Sequence, residues 1–320
     1  MQKVVYIAGN GHSGSTILDM CLGAHPGIIG LGEIANILLA SSHKLEENNF
    51  TKIKCSCGND MCNCDFWMGV REWLRDNPCG DINDKWKFLL TFFQKKYGKE
   101  KVLIDSSKTK HEYLLFLNDY CDLYVIFLVR DYRSWVYSRF SRHGHNIFML
   151  MLHWYINNIR IYNFLKKNNL NVLVVGYEEL ALYPKFILEK ITKFIGLSFN
   201  NNMLQPNKTK SHIIRGNVAR GDSEKRKNLM YDARWLASMK INFLAPVFFP
   251  IIRWNRDYVY SNVVRGMTNA FGVSQQDFLV FGDLNKEKLV QELGEYDELL
   301  RNKRMKKSQY DNKKNNRCNT

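Results

Sequence analysis

Four short apolar runs, KVVYIA (3–8), KVLIDS (101–106), LYVIFLV (123–129) and VLVVGY (172–177), stand between longer stretches of helical period. Their apolar residues are continuous rather than alternating, which fits strands covered on both faces of a parallel sheet. Helices are predicted over 14–24, 85–97, 109–118, 131–142, 145–167, 184–195 and 223–240. Alternation of this kind defines an α/β chain, a parallel sheet flanked by helices. Residues 40–80 interrupt the pattern with cysteines and polar turns, and read as an insertion over the sheet. The most apolar stretch, INFLAPVFFPII (241–252), holds two prolines and is shorter than the ~18 residues of a membrane span. It reads as packed core or a wall beside a substrate, with interfacial membrane contact as the alternative.

Polar residues gather where these strands end. The first strand runs into GNGHSGST (9–16), a Gly-rich turn that opens a helix. Backbone N–H groups at a helix N-terminus point at a ligand, and the helix dipole favours negative charge there. The turn almost fits the nucleotide loop G-x-x-x-x-G-K-[ST], but Ser15 stands where the lysine belongs. That lysine reaches the β- and γ-phosphates of ATP or GTP, so the cradle suits another phosphorylated donor. The second run ends in Asp105-Ser106-Ser107-Lys108 and the third in Arg130-Asp131. Open α/β sheets bind ligands outside the carboxyl ends of their strands, so these ends point to one composite anion site. In RDYRSWVYSRFSR, Ser138 and Arg142 share one helix face, and with Arg130 they form a candidate phosphate grip. Arg133 and Arg139 read as a solvated basic face.

Composition adds limits. With 320 residues, 45% of them hydrophobic, residues 1–300 are sufficient for one large domain with a sizeable core. The net charge of +15 suits an anionic ligand. Part of it belongs to RNKRMKKSQYDNKKNNRCNT (301–320), expected to be a disordered basic tail. No nucleic-acid-binding motif accompanies it. No signal peptide precedes Val4, so the cytoplasm is the expected location.

Four cysteines crowd into CSCGNDMCNC: Cys55, Cys57, Cys62 and Cys64. Their C-x-C-x4-C-x-C spacing is tighter than a usual zinc ribbon, with all four ligands on one short loop. Zinc stands beside free thiols or a local disulfide as a reading of this cluster. Cys21 falls on the presumed core face of the first helix. His111, His143, His145, His153 and His212 read as structural or surface groups.

Taken together, HSGST (12–16) and the Arg130-to-Ser138 spacing resemble the sulfotransferase family. So do His25-Pro26 followed by Gly32-Glu33, DSSK (105–108), the CSCG…C-x-FW insertion (55–67), YEEL (177–180) and HIIRGN…R (212–220). The order of motifs looks like a bacterial branch, with similarity to the protein-tyrosine branch. The resemblance implies a P-loop-like sulfotransferase fold. It also implies transfer of a sulfuryl group from 3′-phosphoadenosine 5′-phosphosulfate to a hydroxyl or amine, with adenosine 3′,5′-bisphosphate leaving. Gly11, His12, Ser13, Gly14, Ser15 and Thr16 would hold the 5′-phosphosulfate. Arg130, Ser138 and Arg142 would hold the 3′-phosphate, and Asn217 and Arg220 would close over the nucleotide.

By the same resemblance Glu33 is the general base, with a surface carboxylate or helix cap as the alternative. Lys108 would stabilise charge at the transferring group. His12 replaces the family's usual Lys or Arg, so either it contacts the donor or Lys108 alone carries that charge. In-line attack on sulfur rests on positioning and electrostatics and needs no metal. The acceptor is left open among a saccharide, a lipid-linked sugar, a small metabolite and a peptide tyrosine. Two competing readings remain, a P-loop nucleotide kinase and a non-catalytic adenosine-bisphosphate-binding protein. The second requires that Glu33 and Lys108 fail to converge.

Overall fold

In the computed structural model, residues 1–262 are described, apart from 42, 43, 46, 144, 145, 217–228 and 248. The expected tail (301–320), Asn217 and Arg220 fall outside these residues.

The strands are β1 (Lys3–Ala8), β2 (Ile28–Gly30), β3 (Val102–Lys108), β4 (Asp122–Val129) and β5 (Val172–Gly176). They form one parallel sheet in the order β2-β3-β1-β4-β5. β1 lies at its centre, with Val4 beside Leu103 on one side and Leu123 on the other. Val5, Ile7, Ile104, Ile126 and Leu128 pack with Leu18, Cys21 and Leu22 and with Leu188 and Ile191 into a buried core. This is why the strands read as continuous apolar runs: both faces are covered.

The principal helices are α1 (Ser15–Gly23), α2 (Trp67–Asp76), α3 (Ile82–Tyr97), α4 (Leu114–Tyr120), α5 (Tyr132–His143) and α6 (Ile147–Lys167). They continue with α7 (Tyr177–Leu182), α8 (Pro184–Phe194), α9 (Met239–Leu244) and α10 (Phe249–Val259). The helix expected over 223–240 is not continuous: among its described residues, a 3₁₀ turn over Arg234–Ala237 precedes α9. The apolar 241–252 stretch is only half packed. Ile241, Ala245, Ile251 and Ile252 are buried, while Phe243, Val247 and Phe249 are exposed. No helix among the described residues is long and apolar enough to cross a membrane.

Arg133 is not on a solvated face. It is buried against Asp131, with Nε and NH2 to the carboxylate at 2.8 and 2.5 Å, and lies over the Trp235 ring at 4.2 Å. The Asp131 carboxylate also accepts from Asn255 Nδ2 at 2.9 Å and Tyr260 at 3.0 Å, and Glu178 accepts the Asp131 N–H at 2.9 Å. This network fixes the chain immediately after β4, and so fixes where Arg130 emerges. Arg139 is half-buried, with its guanidinium over the Trp135 ring at 4.9 Å.

Candidate active site

The Gly-rich turn between β1 and α1 is held from three sides. Trp135 Nε1 donates to Gly11 O at 2.7 Å, Arg130 NH1 donates to His12 O at 3.0 Å, and Ser13 N–H returns to Asn10 O at 3.2 Å. Gly14 precedes α1 with φ of 94°, a left-handed conformation that favours glycine. A Cβ there would lie 2.2 Å from the Tyr177 ring, so space also demands glycine. Among the described residues no side chain caps α1, and Ile17 and Leu18 N–H both return to Gly14 O. The start of α1 is thus left for an anion. Ser13, Ser15 and Thr16 are buried at the turn, and Ser13 Oγ has no partner among the described residues.

Glu33 and Lys108 come together, although 75 residues separate them. Gly32 turns the chain after β2 with φ of 77°, and a Cβ there would meet Ile214 O at 2.2 Å. Lys108 ends β3 with φ of 64°, an unusual left-handed conformation for a lysine. Its carbonyl is anchored by Gly9 N–H at 3.4 Å and by the Tyr6 hydroxyl at 2.8 Å. The two turns aim Lys108 Nζ at Glu33 Oε1, forming an ion pair, while Glu33 Oε2 accepts from Asn36 Nδ2 at 2.6 Å. Both side chains remain partly open, at 13% and 18% exposure. Glu33 caps no helix: the short helix Ala35–Leu38 has no side-chain cap.

Beneath this pair, Ser107 links the two loops. Its hydroxyl accepts from Ala35 N–H at 2.9 Å and donates to Asp105. Tyr113 also donates to Asp105. Burial pushes Asp105 up to about 7 despite these bonds, and pushes Asp19, bonded by Ser106 Oγ at 2.9 Å, up to about 7 as well. Neither carboxylate is open for magnesium, and Asp131 is fully engaged with Arg133, Asn255 and Tyr260. The acidic strand end that a kinase needs is therefore missing from β3 and β4.

His12 also has positive φ, at 69°. Burial, then the charges of Arg142, Arg139, Lys108 and Arg130, hold its imidazole down at about 4, from 6.5. In the free protein His12 is therefore neutral at physiological pH. Four cations lie close enough to act on His12, which favours an anion at this site. The unfolded chain binds a proton at His12 more readily between 6.5 and 4, so this residue lowers stability as pH falls through that window. We expect a proton NMR titration of His12 to give a midpoint near 4 in the free protein. Adenosine 3′,5′-bisphosphate should move it upward, because the phosphate charge opposes that of the arginines. A free-protein midpoint unshifted from 6.5 would contradict the burial of His12 and the crowding of cations around it.

Arg130 leaves β4 toward the turn but is not open. Its NH2 pairs with Asp232, and its guanidinium lies over the Tyr177 ring at 5.2 Å. Asp232 also accepts from Arg234 Nε and NH2, each at 2.7 Å. Arg130 Nε is buried without a partner among the described residues. Ser138 is buried on α5 and Arg142 is exposed one turn on. Sequence reasoning missed Asp232, the carboxylate that pairs Arg130, because nothing local marks it. It also missed Asn36 and the buried anchors Tyr6 and Trp135. The cysteine cluster differs from expectation in one member: Cys55, Cys57 and Cys64 come together with His212, and Cys62 is not in the group.

The fold and this site define a class: an α/β protein with a phosphate-type cradle, a lysine supplied from the neighbouring strand, and a carboxylate beside it. A family model described as the sulfotransferase family matches residues 5–201, more than half of the chain. The chain belongs to the sulfotransferase family. Its fold is similar to the sulfotransferase domain of the Synechococcus PCC 7002 olefin synthase, at 17% identity and a TM-score of 0.52 over 75% of this chain and 90% of that one. The sulfotransferase domain from the curacin biosynthetic pathway aligns at 18% identity and a TM-score of 0.48, over 77% and 96%. No curated protein sequence matches the chain.

Proposed function

We propose that this protein transfers a sulfuryl group from 3′-phosphoadenosine 5′-phosphosulfate to a hydroxyl or amine by in-line attack, releasing adenosine 3′,5′-bisphosphate. The observation that carries the reading is the convergence of Glu33 and Lys108 beside an uncapped, cation-ringed turn. In this reading Gly11, His12, Ser13, Gly14, Ser15 and Thr16 cradle the 5′-phosphosulfate. Lys108 leaves Glu33 for the sulfuryl oxygens as the donor enters, which frees Glu33 Oε1 to take the acceptor's proton. His12, neutral beforehand, acts first as an N–H donor to the leaving oxygen. Arg130, Ser138 and Arg142 take the 3′-phosphate, which displaces Asp232 from Arg130. Asn217 and Arg220 close over the nucleotide. The non-catalytic alternative is less favoured, because it was expected to keep Glu33 and Lys108 apart and the two are paired.

The 3′-phosphate assignment has its own test. Calorimetric titration should show adenosine 3′,5′-bisphosphate binding more tightly than adenosine 5′-phosphate. Arg130→Ala should abolish most of that difference, by about 10- to 150-fold, since a charged hydrogen bond contributes about 1.5–3 kcal/mol. Equal loss for both ligands would remove Arg130 from the 3′-phosphate site.

A further inference from the structure

The cysteine-rich insertion closes on a residue far away in the chain. The Sγ atoms of Cys55, Cys57 and Cys64 and Nδ1 of His212 all lie within 4.8 Å of one another. Cys55 and Cys64 Sγ are 3.6 Å apart, and His212 Nδ1 is 3.1 Å from Cys64 Sγ and 4.0 Å from Cys55 Sγ. Sulfurs at that separation are not bonded, since a disulfide needs about 2.05 Å. A tetrahedral zinc, with sulfur at about 2.3 Å and nitrogen at about 2.0–2.1 Å, spaces its sulfurs by roughly 3.7 Å and sulfur from nitrogen by roughly 3.5 Å. The Cys55–Cys64 separation is close to the first value, and the two His212 separations fall either side of the second. We propose that Cys55, Cys57, Cys64 and His212 form a structural zinc site that clamps the insertion onto the segment supporting Glu33.

The surroundings are built for a fixed ligand set. The first two cysteines lie in a tight turn: Gly58 N–H donates to Cys55 O at 3.0 Å, Cys55 N–H to Asn59 O at 2.8 Å, and Gly58 has φ of 98°. His212 is locked before any metal arrives. Its N–H donates to Gly30 O at 2.9 Å, its carbonyl accepts from Trp67 Nε1 at 2.6 Å, and its ring stacks on Phe66 at 5.9 Å. The Asp65 carboxylate stands 3.5 Å from Nδ1 and is exposed, so it is a neighbour rather than a fourth wall. Three thiols and one imidazole favour zinc over harder cations. A hydrogen-bonded Cys64–His212 pair without metal is the competing explanation, but it leaves the gathering of Cys55 and Cys57 unaccounted for.

The site's place in the fold gives it a role. Ser56, between two ligands, donates its N–H to Ile213 O at 2.9 Å and its hydroxyl to Ser211 O at 2.6 Å. Ile214 N–H reaches Leu31 O at 3.4 Å, and Ile214 O accepts the Glu33 N–H at 3.3 Å. Zinc would therefore hold, through His212 and its neighbours, the backbone from which Glu33 projects. It takes no part in the sulfuryl transfer.

Metal analysis of full-length protein purified without chelator should find about one zinc per chain. His212→Ala and Cys64→Ser should lose it, whereas Cys62→Ser should keep it. Removing zinc from the wild type should lower Tm, and restoring zinc should recover it. Cobalt(II) added to the reduced, zinc-free wild type should give thiolate charge-transfer absorption at one equivalent. That readout holds even if the ligand variants fail to fold, and it is independent of any activity. Absence of zinc together with absence of the cobalt signal would overturn the site. Loss of zinc in Cys62→Ser would overturn this ligand set.

Discussion

Glu33→Gln should lower kcat by about 10²–10⁴-fold, the range for losing a general base. The amide keeps the shape of the side chain but cannot take the acceptor's proton. Donor affinity should hold or rise slightly, because the variant no longer offers Lys108 a competing anion. That split between kcat and donor binding separates a base from a scaffold. Glu33 lies in a paired position, and a residue that merely parked Lys108 would show a kcat within about threefold of wild type. Such a result would transfer the search for a base to another group.

Lys108→Ala should lower kcat by about 10²–10³-fold, comparable to removing one preorganised donor from a developing oxyanion. The lysine is held in a left-handed turn whose carbonyl is anchored by Gly9 and Tyr6, so its backbone position does not depend on its own ion pair. The strain at that φ persists only because the fold over-determines it. Lys108→Arg should restore part of the rate, since charge returns with a different shape. Steady-state kinetics on both variants, beside thermal melts, separates lost chemistry from lost folding. Unchanged kcat in Lys108→Ala would leave the arginines and His12 as the whole electrostatic contribution.

Much of the fold was legible because the strands bury both faces, which gives continuous apolar runs. β2 escaped notice because a strand of three residues, the last a glycine, carries no periodicity. α2 escaped although Trp67, Val70 and Leu74 face inward at helical spacing; the surrounding cysteines and polar turns masked them. The Gly-rich turn was legible from local chemistry, since Gly14 must accept a positive φ and a close aromatic ring. Glu33 and Lys108 were placed by the motif they resemble, and strand order explains why they meet: β2 and β3 are neighbours. Arg133 could not be read correctly, because its partners Asp131 and Trp235 become visible only through packing. His212 could not be joined to the cysteines for the same reason: 148 residues separate it from Cys64.

We propose that this cradle serves sulfuryl transfer and not phosphoryl transfer. The most direct measurement offers the protein two labelled donors in parallel, with the same cell extract as acceptor. One is 3′-phosphoadenosine 5′-phosphosulfate labelled on sulfur; the other is magnesium-ATP labelled on the γ-phosphate. Label should leave the sulfur donor for an acceptor, and ATP should give no more than the blank. Label transferred from ATP, with none from the sulfur donor, would contradict it.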